Sequence, residues 1–469
     1  MRQSLGLNAA PGFIEARPNS IEARDVRWHM HPNTNARRHE QVGPLVIEGG
    51  DGIHVIDNTG RRYIEAMSGL WSAALGFSEP RLAAAAYRQM QQLPFYHNFN
   101  HRAVAPAAEL AERLVALAPV PMSKVFFTNS GSEANDTVLK MIWYRANAMG
   151  QGVRKKVIAR RRGFHGVTIG AASLTGLPMN HGAFDLPIPQ IRHVSCPHHW
   201  REAIAGESEE DFASRLAQEL DALIRAEGPE TVAAFVAEPV MAAGGVVVPP
   251  ATYWQKIQAV LARHDVLLVA DEVVCGFGRT GRMFGSQTYD MKPDIMVMSK
   301  QLASSYMPIA AVMINDRVYA PMADESARRG AFGHGLTAGG HPVAAAVALE
   351  NLGIIEERGL VDQAARVGAH MMAGLRTRLA DHPLVGEIRG IGLVAGVELV
   401  ADRATKAPRG AVGRLGERAA EMMQDAGVIL RAMGDTLALC PPLITTEADI
   451  DRILEAFPPM LDALAREPA

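Results

Sequence analysis

Between about residues 80 and 322 the chain alternates short apolar runs with longer stretches of helical periodicity. That alternation constrains the fold more than any other feature. The runs occupy 124–127, 156–160, 232–237, 266–270, 295–299 and 309–315. Apolar residues at consecutive positions, with no polar face, mark strands buried on both sides. Strands alternating with helices argue a mostly parallel sheet with helices on both faces, an α/β class. Two of the runs end on a single charged residue, one on Asp271 and the other on Lys300. Side chains at the carboxyl edge of such a sheet face the crevice where open α/β folds bind ligands.

The chain has eight lysines, and only Lys300 has an apolar strand behind it. A lysine and an aspartate at one sheet edge, 29 residues apart, are the two groups that pyridoxal phosphate needs. The amine condenses with its aldehyde, and the carboxylate keeps its pyridine nitrogen protonated so that the ring accepts electrons from a substrate carbanion. Taken alone, Lys300 fits a surface lysine after a core strand equally well. A third segment bears on the choice. The strand at 124–127 runs into Thr128-Asn129-Ser130-Gly131-Ser132-Glu133-Ala134-Asn135, and a helical pattern follows from Glu133 to about Met149, with Ala134, Val138, Met141 and Ile142 on one side. Small hydroxylated residues and a glycine at a helix start leave N–H groups open to a phosphate. The helix dipole adds about 0.3–1 kcal/mol for an anion at an exposed end. An ordinary N-cap has the same composition.

Five separated motifs carry a resemblance that covers nearly the whole chain. They are Asn129-Ser130-Gly131-Ser132-Glu133-Ala134-Asn135, Ala237-Glu238-Pro239-Val240, Asp271-Glu272-Val273 with Gly276-Phe277-Gly278-Arg279-Thr280-Gly281, Ser299-Lys300, and His334-Gly335-Leu336-Thr337 with Gly340-His341-Pro342. In order and spacing the sequence resembles the class III, pyridoxal-phosphate-dependent aminotransferases. The resemblance implies the fold type I architecture, with a seven-stranded, mostly parallel sheet in a large domain. It implies a smaller α+β domain built from both chain ends, so that 1–79 and 336–469 flank a large domain at 80–335. It implies Lys300 and Asp271 as catalytic residues. Ser130, Gly131, Ser132, Glu238 and Val273 join them at the cofactor, and the Phe164 ring stacks on the pyridine face. Leu336 and Thr337 are expected at the cofactor phosphate of the opposite subunit, which makes a homodimer with shared sites the expected assembly.

Substrate preference rests on finer marks. After Phe164-His165-Gly166 the chain has Val167, where the acetylornithine and γ-aminobutyrate branches usually carry a carboxylate-binding arginine. The stretch that follows resembles the branch that moves amino groups from amines or ω-amino acids to pyruvate. Trp71 and Phe95 fall at substrate positions of that branch, and Arg431 matches its mobile arginine, which grips a keto-acid carboxylate bidentately. Two residues depart from the pattern. Gln301 follows Lys300 where glycine is usual, and Ala338 follows Thr337 where an aromatic is usual. A decarboxylase or an aminomutase would use the same cofactor groups. A nucleotide-dependent oxidoreductase or a non-catalytic α/β scaffold stands further off.

Composition narrows the remainder. At 469 residues the chain exceeds usual single-domain size, so two domains around one site are expected. A net charge of −3 gives no electrostatic case for nucleic acid or an anionic membrane. Three cysteines, Cys196, Cys275 and Cys440, form no disulfide framework and suit a reducing cytosol, so a cytoplasmic enzyme is expected. Cys275 reads as a packed thiol, since no cationic neighbour is evident. No run of about 20 apolar residues is present to span a membrane. Gly276 to Gly281 matches G-x-G-x-x-G but stands off its strand and precedes a poor helix start, so no dinucleotide site is expected. Ser195-Cys196-Pro197-His198-His199-Trp200 lacks metal-ligand spacing and corresponds to an aromatic surface loop in the resembling proteins, so no metal is expected there.

Overall fold

The structure, a computed structural model, describes residues 18–467. Strands β1 (Ile47–Asp51), β2 (His54–Asp57) and β3 (Arg62–Glu65) pair antiparallel in sequence order. The sequence suggests a strand at 45–47 and a turn at Gly49-Gly50, but both glycines lie inside β1. A Cβ on Gly50 would stand 2.4 Å from Phe77 Cβ, so the glycine is there for close packing. The reversal falls instead at Gly52, with φ +57°, and a register shift between Ile47 and Gly49 absorbs the flexible pair.

Seven strands build the central sheet. They are β4 (Lys124–Thr128), β5 (Lys156–Arg160), β6 (Ile191–Val194), β7 (Val232–Ala237), β8 (Leu267–Asp271), β9 (Ile295–Met298) and β10 (Ala310–Ile314), in the order β4-β10-β9-β8-β7-β5-β6. Only β10 runs against its neighbours. Strand β6 carries no apolar run, because Arg192 and His193 fill its middle. As an edge strand it needs only the outer residues Ile191 and Val194 inside. Successive residues of the inner strands feed opposite faces. Leu267, Val269, Ile295 and Val297 pack under Val138, Met141 and Ile142 of the Gly131–Ala148 helix, whereas Leu268, Ala270, Met296 and Met298 face Trp254 and Ile257. Two covered faces explain why these strands read as continuous apolar runs.

Beyond the Pro342–Glu357 and Leu360–Leu379 helices come β11 (Val385–Ile391), β12 (Val394–Leu399), β13 (Val428–Ile429), β14 (Arg431–Met433) and β15 (Thr436–Leu439). Four of them form a sheet in the order β11-β12-β15-β14, while β13 pairs parallel with β3 through Val428–Ile64 and Ile429–Glu65. The two chain ends therefore share one sheet. The helical pattern from Thr446 to about Ala465 divides into Glu447–Glu455 and Phe457–Arg466. Pro458 and Pro459 supply no N–H to the preceding turn, so the ladder restarts there. No helix among the described residues is long and apolar enough to cross a membrane.

One helix contact has no slack. A Cβ on Gly368 of the Leu360–Leu379 helix would stand 2.1 Å from the Gly392 carbonyl oxygen. Gly368→Ala should therefore push the helix off the β11–β12 hairpin at a cost of about 1–3 kcal/mol. A lowered melting temperature checks this, and an unchanged one would count against so tight a seat.

Candidate active site

Five parallel strands deliver their carboxyl ends to one place. After β4, Ser130 caps the Gly131–Ala148 helix, its hydroxyl accepting the Glu133 N–H at 3.2 Å. Phe164-His165-Gly166 follows β5, Glu238 follows β7, Asp271 ends β8, and Ser299-Lys300 follow β9. A cavity of about 130 Å³ is lined by Gly131, Ser132, Phe164, Glu238, Asp271, Val273 and Lys300, with His165, Gly166, Ala243, Val274 and Ser299 completing the wall.

Asp271 is held from three sides. Its Oδ2 accepts from His165 Nδ1 at 2.7 Å and from Asn135 Nδ2 at 3.0 Å, and its Oδ1 accepts from Val273 N–H at 3.1 Å. Asn135 spends its second amide hydrogen on the His165 carbonyl at 2.8 Å. The network puts the imidazole proton on Nδ1. Glu238 is buried and bridges two loops, accepting from Phe164 N–H at 3.1 Å and Ala242 N–H at 3.0 Å. Burial holds its carboxyl above the ordinary value.

Lys300 adopts φ +42°, a left-handed conformation costing about 1–2 kcal/mol for a side chain other than glycine. Its Nζ faces the cavity, and no hydrogen bond holds it among the described residues. Burial pushes its ammonium below the usual lysine value. Asp271 and Glu238 pull the other way, and the Arg431 charge deepens the depression. Lowering that pKa enlarges the neutral, nucleophilic share of the amine.

Gln301 takes up the turn after Lys300. Its Nε2 donates to the Val274 carbonyl at 2.7 Å, and its own carbonyl accepts from Asn351 Nδ2 at 2.8 Å. A side chain that ties the lysine turn to the cavity wall at Val274 thus occupies the position where glycine is usual.

The other sequence-expected residues, Ser130, Trp71, Phe95, Leu336, Thr337 and Arg431, are not among those that line this cavity. Trp71 is fully buried at φ +66°, packed with Ala242 and with Val274 of the cavity wall. Arg431 begins β14, is mostly buried with its guanidinium pKa lowered by that burial, and meets no carboxylate among the described residues. Phe95, Leu336 and Thr337 do not line the cavity. They belong to a second group, in which Phe95 lies 5.7 Å from the His341 ring and Asn98 Nδ2 donates to the Gly339 carbonyl at 3.0 Å. Thr337 and Phe95 are exposed there. Ala338 sits in the same turn, accepting from His341 N–H at 3.1 Å.

The segment 195–200 is no surface loop: Cys196 and His198 are buried, and His198 Nε2 meets Glu387 Oε2 at 2.7 Å. Arg279 of the glycine-rich turn is fully buried and donates to the carbonyls of Leu393 at 2.9 Å and Pro441 at 2.5 Å. That turn clamps the C-terminal segment. Cys275 is a packed thiol, its pKa driven up by burial.

Asn135 and His165 belong to the sequence motifs, but their bonds to Asp271 appear only in the structure. A signal existed in Asn135, a polar residue on the apolar side of its helix.

A model of the family "Aminotransferase class-III" matches residues 34–461. The chain belongs to the class III aminotransferases. Among solved structures it is similar to the omega transaminase from Pseudomonas jessenii in complex with PMP, with 60% identity, a TM-score of 0.94, and coverage of 95% of this chain and 98% of that one. A structure described as a transaminase with L-ala is 65% identical, with a TM-score of 0.89 and coverage of 90% and 99%. Gamma aminobutyrate transaminase 1, mitochondrial, of Solanum lycopersicum is 46% identical over 453 residues, 96% of this chain and 88% of the relative.

As a class III aminotransferase the enzyme depends on pyridoxal phosphate, and the cavity fits that group. A Cβ on Gly166 would stand 2.5 Å from Ser132 Oγ, and one on Gly131 would stand 3.3 Å from Val273 Cγ2. Both glycines keep open the space between the helix start and Lys300.

Proposed function

We propose that this aminotransferase moves an amino group from an amine or ω-amino acid to pyruvate by a ping-pong mechanism. The observation that carries the acceptor half is Arg431, a mostly buried guanidinium without a carboxylate partner whose charge is felt at Lys300. A buried cation needs an anion, and a keto-acid carboxylate is one. Val167, 68% exposed, stands directly after Phe164-His165-Gly166 in place of the arginine that a second carboxylate would want. Similarity to an omega transaminase and to a transaminase with L-ala supports the same reading.

When bound, pyridoxal phosphate supplies an aldehyde that condenses with amines and a ring that accepts carbanion electrons. The chain does the rest. Lys300 would hold the cofactor and then carry a proton from the substrate carbon, its lowered pKa favouring the neutral amine. Asp271 keeps the ring nitrogen protonated, with His165, Asn135 and Val273 fixing its orientation. Phe164 would cover the ring, and Ser132 and Gly131 would hold the phosphate near the helix start. Glu238 positions Phe164 through its backbone bond.

The direct test is a panel of amines and ω-amino acids scored by alanine formed from pyruvate. Carbon dioxide release in place of alanine would mean a decarboxylase. Arg431→Ala should weaken the pyruvate half-reaction far more than the half-reaction with a carboxylate-free amine, since a charge-assisted hydrogen bond is worth about 1.5–3 kcal/mol. Stopped-flow measurement of each half checks this, and equal losses would refute the carboxylate grip.

The second group of residues, Phe95, Leu336 and Thr337, belongs in this reading to the site of a partner subunit in a homodimer. Exposed Phe95, Tyr96 and Phe99 give that face the aromatic character of an interface. Mixing Lys300→Ala with Thr337→Ala subunits would put both defects in one site of a heterodimer and neither in the other. Activity should reappear on mixing, and an enzyme active as a monomer would rule out shared sites.

A further inference from the structure

Three histidines crowd one carboxylate at the start of the described chain. Asp25 lies in the Ile21–Trp28 helix, His29 caps its end, His31 follows, and His39 belongs to the Ala36–Val42 helix. His29 Nδ1 lies 2.9 Å from Asp25 Oδ1. His31 Nε2 and His39 Nε2 lie 2.7 and 3.1 Å from Oδ2. The rings themselves are close, with centroids 4.5 Å apart for His29 and His31 and 4.1 Å for His31 and His39. None of these residues touches the Lys300 cavity.

We propose that Asp25, His29, His31 and His39 form a zinc-type metal site that clips the Ile21–Trp28 helix to the Ala36–Val42 helix. The donor set is three imidazole nitrogens and one carboxylate oxygen, the chemistry of a borderline divalent ion such as Zn²⁺. Tetrahedral bonds of about 2.0–2.1 Å place ligand atoms about 3.3 Å apart. The observed separations, from Oδ1 for His29 and from Oδ2 for His31 and His39, are shorter by about 0.2–0.6 Å. Ligand atoms of Asp25, His29 and His31 all lie within 4.8 Å of one another, and His39 closes on the same carboxylate oxygen as His31. Each nitrogen that points at the carboxylate is the one that would turn to an ion beside it. Binding would release the protons these nitrogens carry.

Charge separates this cluster from another of similar composition. His198, Glu387 and Glu398 also gather within 4.8 Å, but Arg389 donates to Glu387 at 2.6 Å and to Glu398 at 2.5 Å, and Arg201 also donates to Glu398 at 2.5 Å. Guanidinium cations fill the role of a metal there, and only one imidazole is present. Around Asp25 the partners are imidazoles, which lose their protons to an ion far more readily than arginine does. His39 and Asp25 are mostly covered, whereas the His29 side chain is 63% exposed, so the ion enters from the His29 side.

The experiment uses the cofactor-loaded enzyme without an affinity tag, stripped with a chelator and titrated with Zn²⁺ alone. Calorimetry and elemental analysis after dialysis should find about one zinc retained per chain. His31→Gln and His39→Gln should each weaken binding by roughly 10–100-fold or more, since even outer partners of a metal cost that much. Asp25→Asn keeps hydrogen-bonding capacity but loses the anion, and it should weaken binding too. Zinc should also slow proteolysis within residues 18–42 of the parent enzyme and leave the variants unprotected. No zinc retained by the parent enzyme, or retention equal in all three variants, overturns the proposal. Since none of these readouts uses transamination, failure here leaves the aminotransferase reading untouched.

Discussion

Replacing Lys300 by alanine is expected to abolish transamination while leaving the cofactor bound without a covalent link. Two contributions vanish together. The amine that fixes the cofactor is gone, and so is the base that carries the substrate proton, worth typically about 10²–10⁴-fold by itself. The surroundings argue that the loss is chemical. Alanine at φ +42° meets the same backbone penalty as lysine, so the turn held by Gln301 and Asn351 should persist. Removing a buried amine whose charged form is disfavoured should leave the melting temperature near that of the parent. Borohydride should fix the cofactor to the parent chain and fail to fix it to the variant. Turnover close to the parent's, with no amine added, would remove Lys300 from the centre of the mechanism.

How far the sequence reaches can be judged from particular residues. Lys300 and Asp271 were legible because each ends a strand buried on both faces, and the carboxyl edge of such a strand leads to a crevice. Helix phase was legible because periodicity acts over a few residues, although the helix begins at Gly131 with Ser130 as its cap, two residues before the helical pattern starts. What escaped depends on distant pieces meeting. His165 and Asn135 reach Asp271 from 106 and 136 residues away, and no local pattern announces that. Edge strand β6 escaped because Arg192 and His193 break its apolar run, and the break at Phe457 because two prolines stop a ladder whose apolar periodicity continues. The carboxylates that meet His198 come from β11 and β12, so a motif that looked like a surface loop proved buried. Phe95, Leu336 and Thr337 form a group of their own outside the Lys300 cavity. A role for them at a cofactor belongs to the proposed homodimer, in which a second chain would bring the two groups together.

Asp271→Asn is expected to lower both half-reactions by several orders of magnitude. The carboxylate is buried, 2% exposed, and an amide of the same shape cannot hold a pyridine nitrogen in its protonated form. Each pKa unit of lost coupling is about 1.4 kcal/mol, or tenfold in the population of the reactive form. The substitution also disturbs the carboxylate's own supports. Oδ2 now accepts from both His165 Nδ1 and Asn135 Nδ2. An amide NH₂ at that position would face two donors, which forces His165 to shift its proton or the new side chain to turn away from Val273. Either response moves the group that must meet the ring nitrogen, so the electrostatic and geometric losses act together. The rates of the two halves, measured separately, should fall by similar factors, because both would depend on the same protonated ring nitrogen. That symmetry distinguishes Asp271 from Arg431, whose loss should fall far more heavily on the pyruvate half than on the half-reaction with a carboxylate-free amine. A loss under about tenfold, equivalent to one pKa unit or less, would assign the ring nitrogen to another residue.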